Sequence, residues 1–361
     1  MIRLYGVEKG NSSWPRVTHG VRDGLRACGA LGGFYDVQRV DGDDLDDGNA
    51  LEPGHDTPTA LCIGSPPSAS VMVGRGRHKE RLLLIATNSS WLPEVMMERA
   101  AKLCTGFVAP SAWSASVIER YAHGLPVYVY QHGVDEGFCV NHQLRPVVEE
   151  PDSSWTVLHL ASTHMQRKGT RELILGWAEA MRAGQIPRDA RIRMIVDGPR
   201  GHFLSVIAEA SEGNTEIADS YLLEMRKSFT VKDMAALYGI HDFVCQPSRG
   251  EGFGMVPLEA RACGVPVIAT ACTGHAEHIH VGMPGVVVIP AGPERPVDDG
   301  PGALAPAVHP SDIAAALHFA FVNSSELTTK AAVAAATVRD AWSWKECTAR
   351  FLHANPGLLE A

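Results

Sequence analysis

Apolar residues along this chain fall in short runs, separated by polar loops that carry glycine and by stretches with helical spacing. Residues 3–7 predict a first strand, followed by a polar loop over 8–15 and a helix around 16–28. Further strands are expected at 34–40, 60–64, 82–87, 106–109 and 127–131, with helices over 93–103 and from Ser111, its cap, to about Tyr121. A polar segment with a proline, at 149–154, interrupts the rhythm and is the best linker candidate. The alternation then restarts with a strand at 156–161 and a helix at 170–182, which places Leu173, Ile174, Trp177 and Met181 on one face. A strand at 191–196 follows, then an ambiguous segment at 216–227. Thr230 and Asp233 form a capping box that opens a helix to Tyr238. Strands at 243–246, 265–269 and 285–289 and helices at 312–322, 328–341 and 342–352 complete the reading. Residues 290–310, rich in Pro, Gly, Ala and Asp, read as a mobile surface excursion.

Strands that alternate with helices predict parallel sheets, and the restart near residue 150 predicts two of them. The expected fold class is therefore α/β: two Rossmann-like domains facing a cleft. The expected bounds are 1–150, 151–340, and a last helix over 341–361. No periodicity of 20 to 50 residues stands out beyond the βα alternation.

The most informative stretch is 246–279. An apolar run leaves through Pro247 and Ser248 into a loop holding Gly250, Gly252 and Gly254. Pro257 then opens a short helix and Gly264 ends it. A glycine-rich turn from strand to helix gathers backbone N–H groups at a positive helix end, which suits a phosphate. Two carboxylates, Glu251 and Glu259, frame it with seven residues between them. A carboxylate beside such a turn accepts hydrogen bonds from sugar hydroxyls. The local chemistry suggests a nucleotide or nucleotide-sugar site.

Composition narrows the classes. Among 361 residues, 45% are hydrophobic and 20% charged, as in an ordinary soluble domain pair. No apolar run is long enough to span a bilayer, and the opening residues carry no apolar core of a signal peptide. Eight cysteines without a CxxC pair fit reduced, mostly buried thiols, so a cytoplasmic location is expected. A formal charge of −9 gives no global case for nucleic acid or membrane. A local basic run remains, with Arg75, Arg77, His78, Lys79 and Arg81, to be read as a solvated loop or as a grip on an anionic acceptor such as the phosphates of DNA. The acidic run at 41–47 reads as a solvated loop. His275, His278 and His280 invite a zinc reading but lack a fourth ligand at a sensible spacing, so hydrogen-bonded or surface histidines are expected.

The run Ser248-Arg249-Gly250-Glu251-Gly252-Phe253-Gly254 with Glu259, followed by Cys263-Gly264-Val265-Pro266-Val267-Ile268-Ala269-Thr270, resembles glycosyltransferase family 4, the retaining transferases of GT-B fold. Arg167-Lys168-Gly169 matches that family's basic pair after the first strand of its donor domain. Pro110 to Ser114, His132 to Asp135, and Trp342-Ser343-Trp344 resemble further segments of it, the last of them within a helix over 341–361 that the resemblance implies crosses back toward the first domain. The likeness is strong over 105–280 and weak over 1–104. The first loop offers Gly10 and Asn11 without the family's paired glycines, and Asn88 stands where many members place a histidine.

The resemblance implies a donor that is a nucleoside diphosphate sugar, no cofactor and no metal. Glu251, Arg167 and Lys168 would be the catalytic group. Gly252, Phe253, Gly254, Met255, Val256 and Glu259 would hold the donor, with Glu259 on the ribose. The alternatives are a loop-capping Glu251, an exposed Glu259 and a solvated Arg167–Lys168 pair. Gly10, Asn11, His19, Asn88, Arg75 and Arg77 are candidates for the cleft or the acceptor. The implied activity is retaining transfer to an acceptor hydroxyl (on a glycan, a lipid-linked sugar or a small molecule). Rival readings are transfer to modified, hydroxylated bases in DNA, a non-catalytic nucleotide-binding module, and a GT-B phosphorylase.

Overall fold

Strand β1 (Ile2–Gly6) is buried along its length and pairs in parallel with β2 (Leu31–Asp36) and β3 (Thr59–Ile63). The sheet continues through β4 (Glu80–Leu84), β5 (Gly106–Ala109) and β6 (Val127–Val129), in the order β2-β1-β3-β4-β5-β6 with every pairing parallel. Parallel neighbours need crossovers, and α1 (Trp14–Ala27), α2 (Glu94–Ala101) and α3 (Ala112–Glu119) supply those from β1 to β2, β4 to β5 and β5 to β6. Ser111 caps α3 by accepting from the Ser114 amide at 3.0 Å. This computed structural model describes residues 1–6, 14–36, 59–65, 78–139, 153–162, 164–225 and 229–360. Residues 149–152 of the expected linker and the acidic run at 41–47 lie outside them.

A second parallel sheet holds β7 (Thr156–Ser162), β8 (Arg191–Asp197), β9 (Tyr221–Met225), β10 (Phe243–Gln246), β11 (Val267–Thr270) and β12 (Val286–Ile289). Its order is β12-β11-β10-β7-β8-β9. The chain winds outward from β7 to β9, then returns to lay β10 on the other side of β7. The winding direction therefore reverses between β7 and β10, and in such sheets ligands bind outside the carboxyl ends at that point. The helices of this unit are α4 (Thr170–Arg182), α5 (Arg200–Ser211), α6 (Thr215–Asp219), α7 (Val231–Gly239), α8 (Met255–Ala262), α9 (Pro310–Val322) and α10 (Ser324–Ala341). Its core is aromatic at the centre. Trp155 stacks on Trp177 with ring centroids 6.0 Å apart, and Phe243 lies 5.7 Å from Trp155. The capping box at Thr230 and Asp233 is present at the start of α7.

The ambiguous segment resolves into α6 and the edge strand β9. Residues 290–310 differ from expectation. They form an antiparallel pair, β13 (Glu294–Pro296) with β14 (Leu304–Pro306), and bury Val297, Ala303 and Ala305. The hairpin is held at its sides: the Leu304 amide donates to Ser90 Oγ at 2.9 Å, and the Ser90 amide donates to the Leu304 carbonyl at 3.1 Å.

Two further helices, α11 (Trp344–Ala354) and α12 (Gly357–Glu360), end the chain. Residues Met1–Thr87, Trp91–Asp135 and Ala341–Ala361 form one unit, and Asn88–Ser90 with Glu136–Asp340 form the other. In the first unit α11 packs on α1, where a Cβ at Gly20 would stand 1.9 Å from the Trp344 ring. Tyr130 stacks on Phe351 at 4.5 Å. Residues 136–139 group with the second unit because Gly137 lies against Val231 and the Phe138 ring lies 6.1 Å from Tyr238. All eight cysteines are free, and five of them, Cys62, Cys104, Cys245, Cys263 and Cys347, are buried.

Candidate functional site

Three loops leave the carboxyl ends of β7, β10 and β11 and meet in the second unit. The loop after β7 carries Arg167 and Lys168. The loop after β10 runs from Pro247 to Gly254. A short 3-10 turn after β11, Thr273–Glu277, supplies the third. Main-chain bonds tie the first two together, since the Arg249 amide donates to the Arg167 carbonyl at 2.8 Å. The third joins through the Gly274 amide, which donates to the Glu251 carbonyl at 2.8 Å, and through Thr273 Oγ1, which accepts from the Glu251 amide at 3.1 Å.

Lys168 and Glu251 face each other inside this junction. Lys168 Nζ donates to Glu251 Oε1 at 2.6 Å, and Arg167 Nη1 lies 3.8 Å from Glu251 Oε2 while donating to the Gly250 carbonyl at 2.8 Å. Burial alone would raise the Glu251 carboxyl. The Lys168 ammonium and the Arg167 guanidinium outweigh it and hold the carboxyl down to about 2. Burial also pushes Lys168 below its ordinary value, against the opposing pull of Glu251. Two cations against one carboxylate leave a net positive charge at the turning point of the sheet. Arg167 Nε is buried and has no partner among the described residues. An anion is the ligand this charge favours.

Helix α8 begins beside the pair. Its N-cap is Gly254 at φ 82°, in the left-handed region, and no side chain caps it. The helix starts at Met255, two residues before the expected Pro257, because proline is tolerated anywhere in a first turn. Its end is a Schellman pair: the Val265 amide donates to the Ala260 carbonyl at 2.9 Å and Gly264 to Arg261 at 3.0 Å. Gly252 and Phe253 are buried, whereas Gly254, Met255 and Val256 are half-buried. The Phe253 ring is 3% exposed and lies 5.1 Å from the His278 ring, so this residue serves the loop as packing and offers a ligand only main chain. Glu259 is wholly buried and accepts from the Tyr238 hydroxyl at 2.8 Å, which excludes an exposed helix carboxylate.

Other expected residues fall elsewhere. Asn88 is half-buried and its carbonyl lies against Gly250. His19 is half-buried on α1 in the first unit, with Nε2 buried and unpartnered among the described residues. Gly10, Asn11, Arg75 and Arg77 lie outside the described residues. At the described end of the basic run Lys79 is exposed, whereas His78 and Arg81 are engaged by the protein itself. His78 is buried with Nε2 3.0 Å from the Tyr5 hydroxyl, and Arg81 donates to the carbonyls of Leu103 and His78 at 2.6 and 3.1 Å. His275 and His278 are buried against the carbonyls of Thr270 and Phe253, and His280 is exposed.

The sequence reading passed over Arg249. Its guanidinium turns away from Glu251 and donates to the hairpin carbonyls of Pro306 at 2.8 Å and of Arg295 and Ala305 at 3.4 Å. It also passed over Tyr238, whose spacing marks only the buried face of α7.

The comparisons with known proteins bear on the same region. Residues 154–317 match the family model for glycosyl transferases, group 1. That stretch contains every residue of the junction just described. D-inositol 3-phosphate glycosyltransferase from Kribbella flavida is 36% identical over 123 residues, 33% of this chain and 27% of that relative. The enzyme of the same description from Streptosporangium roseum is 29% identical over 130 residues, 32% of this chain and 30% of the relative. The matches therefore span less than a third of the length of these relatives. Sucrose-phosphate synthase from Thermosynechococcus elongatus superposes with a TM-score of 0.66 at 14% identity, over 99% of both chains. Anabaena HepE, solved in complex with UDP and glucose, gives a TM-score of 0.65 at 14% identity, over 99% of this chain and 100% of its own. The fold is that of the GT-B glycosyltransferases, two Rossmann-like units with parallel sheets. The family match covers less than half of this chain, and the likeness to the solved structures shows the fold.

Proposed function

We propose that this protein is a retaining glycosyltransferase of family 4 type, which moves a sugar from a nucleoside diphosphate sugar to an acceptor hydroxyl. The observation that carries the reading is the convergence of Arg167, Lys168, Glu251 and the start of α8 at the point where the second sheet reverses its winding. As the glycosidic bond breaks, negative charge gathers on the departing diphosphate. Lys168, Arg167 and the amides at the start of α8 stabilise that charge where it develops. Glu259 takes the ribose hydroxyls, and the Tyr238 hydroxyl fixes the orientation of its carboxylate. Glu251, kept ionised by the two cations, faces the sugar as an acceptor for its hydroxyls. It is not a nucleophile in this scheme. The donor phosphate removes the acceptor proton on the same face, so the configuration is retained.

HepE was solved with UDP and glucose, which favours a UDP-sugar as the first donor to test. The acceptor is a hydroxyl of a glycan, a lipid-linked sugar or a small molecule. Incubation with UDP-, GDP- and ADP-glucose, followed by proton NMR of the released or transferred sugar, tests the proposal. An α-configured product from an α-configured donor is expected. Inverted configuration would refute the retaining step, and phosphate-dependent sugar release would favour a phosphorylase instead.

A further inference from the structure

His275 is a buried ionisable side chain at the junction to which the donor reading gives no task. It lies in the 3-10 turn after β11 and is 1% exposed. Its Nδ1 stands 3.2 Å from the Thr270 carbonyl and 3.3 Å from the Thr270 hydroxyl. Burial lowers its pKa to about 4, so the ring is neutral at pH 7. With Nδ1–H donating to the carbonyl, Nε2 is a bare acceptor, buried and without a partner among the described residues.

The ring lies against Gly254. A Cβ at that position would stand 1.9 Å from His275 Cδ2 and 2.4 Å from Nε2, so the imidazole fills the space that a side chain there would need. Gly254 is the left-handed residue from which α8 starts. The same turn grips the main chain of Glu251 on both sides, through Thr273 Oγ1 and the Gly274 amide. A zinc-ligand role does not fit, because His278 Nε2 faces the Phe253 carbonyl and His280 is exposed.

We infer that His275 is a positioning residue: its ring is the support on which the Glu251–Gly254 loop rests, and it fixes the left-handed turn that aims the first amides of α8. The inference rests on the donor reading above. It gives the histidine a role through Gly254 and Glu251, with no contact to the reacting atoms.

Calorimetric titration of the full chain with UDP, GDP and ADP tests it, using His275→Ala, Gly254→Ala and the double variant. Each single change is expected to weaken binding of the preferred diphosphate about tenfold. The double variant is expected to lose less than the product of the two single losses, since the added methyl then occupies the space the ring has left and only the strain of a side chain at φ 82° remains. Losses that multiply, or wild-type affinity in His275→Ala, would overturn the inference. If His275→Ala does not fold, His275→Asn takes its place with the same expectation, because it keeps an N–H for the Thr270 carbonyl and removes the ring beneath Gly254. If the wild-type chain binds none of the three diphosphates, the donor reading fails. Amide exchange over 251–256 then decides the inference alone. Faster exchange in the variant supports it, and unchanged exchange overturns it.

Discussion

Lys168 Nζ and Glu251 Oε1 lie 2.6 Å apart across 83 residues of sequence, and they join the loops after β7 and β10. Both side chains are largely buried, at 18% and 11% exposure. A buried pair is costly to break from one side, because the surviving charge has lost its partner. Lys168→Met is therefore expected to cost about 3 kcal/mol in urea unfolding at pH 7. Adding Glu251→Gln should recover part of that loss, since the carboxylate left with Arg167 alone, 3.8 Å away, is then replaced by a neutral amide. A double variant as unstable as the sum of its parts would show that the two groups do not act as a pair.

The same pair predicts an effect on turnover. Lys168→Ala removes the cation closest to the Glu251 carboxylate, which the proposed reaction sets against the developing diphosphate charge. The expected loss in kcat is about 100-fold to 1000-fold, as for removal of one preorganised donor. Steady-state kinetics with the preferred nucleotide sugar measure it. A rise in KM with unchanged kcat would place Lys168 in ground-state binding only.

Arg249 sits two residues from Glu251 in the sequence, yet its guanidinium binds the hairpin carbonyls of Pro306, Ala305 and Arg295. Arg249→Ala should free β13 and β14 while leaving β10 and β11 intact. The expected cost is about 1.5 to 3 kcal/mol, the worth of hydrogen bonds from a charged donor. Limited proteolysis should cut faster within 294–306. Unchanged cutting there would mean that the Ser90 bonds alone hold the hairpin.

Acid should weaken this protein well above the carboxylate range. Burial lowers the pKa of His132 to about 3, His159 to about 4, His241 to about 4, His275 to about 4 and His278 to about 3. The unfolded chain binds protons at these positions below about 6.5, and the folded chain does not until its own lower values. Stability thus falls as pH drops from about 6.5 toward 4. Glu251 adds a second loss in the same direction. Its folded value near 2 stabilises the fold above its unfolded value of about 4.3, and that contribution disappears as pH falls from about 4.3 to 2. Urea midpoints between pH 7.5 and 4 check the first window. A midpoint constant down to pH 5 would contradict it.

The division into two parallel sheets was readable because buried parallel strands show as short apolar runs between helices with 3.6-residue spacing, whereas the strand order was not. Glu251, Glu259 and the basic pair could be named as candidates because their spacing is local or tied to a strand end. The direction of Arg249 was not. An arginine in a glycine loop looks the same whether it faces a phosphate or caps a hairpin, and its three acceptors lie 46 to 57 residues away. The hairpin was misread because proline at both strand ends, Pro296 and Pro306, mimics loop composition. Helix α5 was passed over although Phe203, Val206, Ile207 and Ala210 carry helical spacing behind Pro199. Contacts such as Tyr238 with Glu259, 21 residues apart, depend on packing of α7 against α8 and leave no local mark.

The measurement that bears most directly on the central claim is calorimetric titration of the wild-type chain and of Lys168→Ala with UDP, GDP and ADP at moderate salt. The account expects one diphosphate to bind the wild type with Kd below about 1 mM, and Lys168→Ala to lose at least about tenfold of that affinity. Binding of none of the three by the wild type, or equal affinity in the variant, would contradict it.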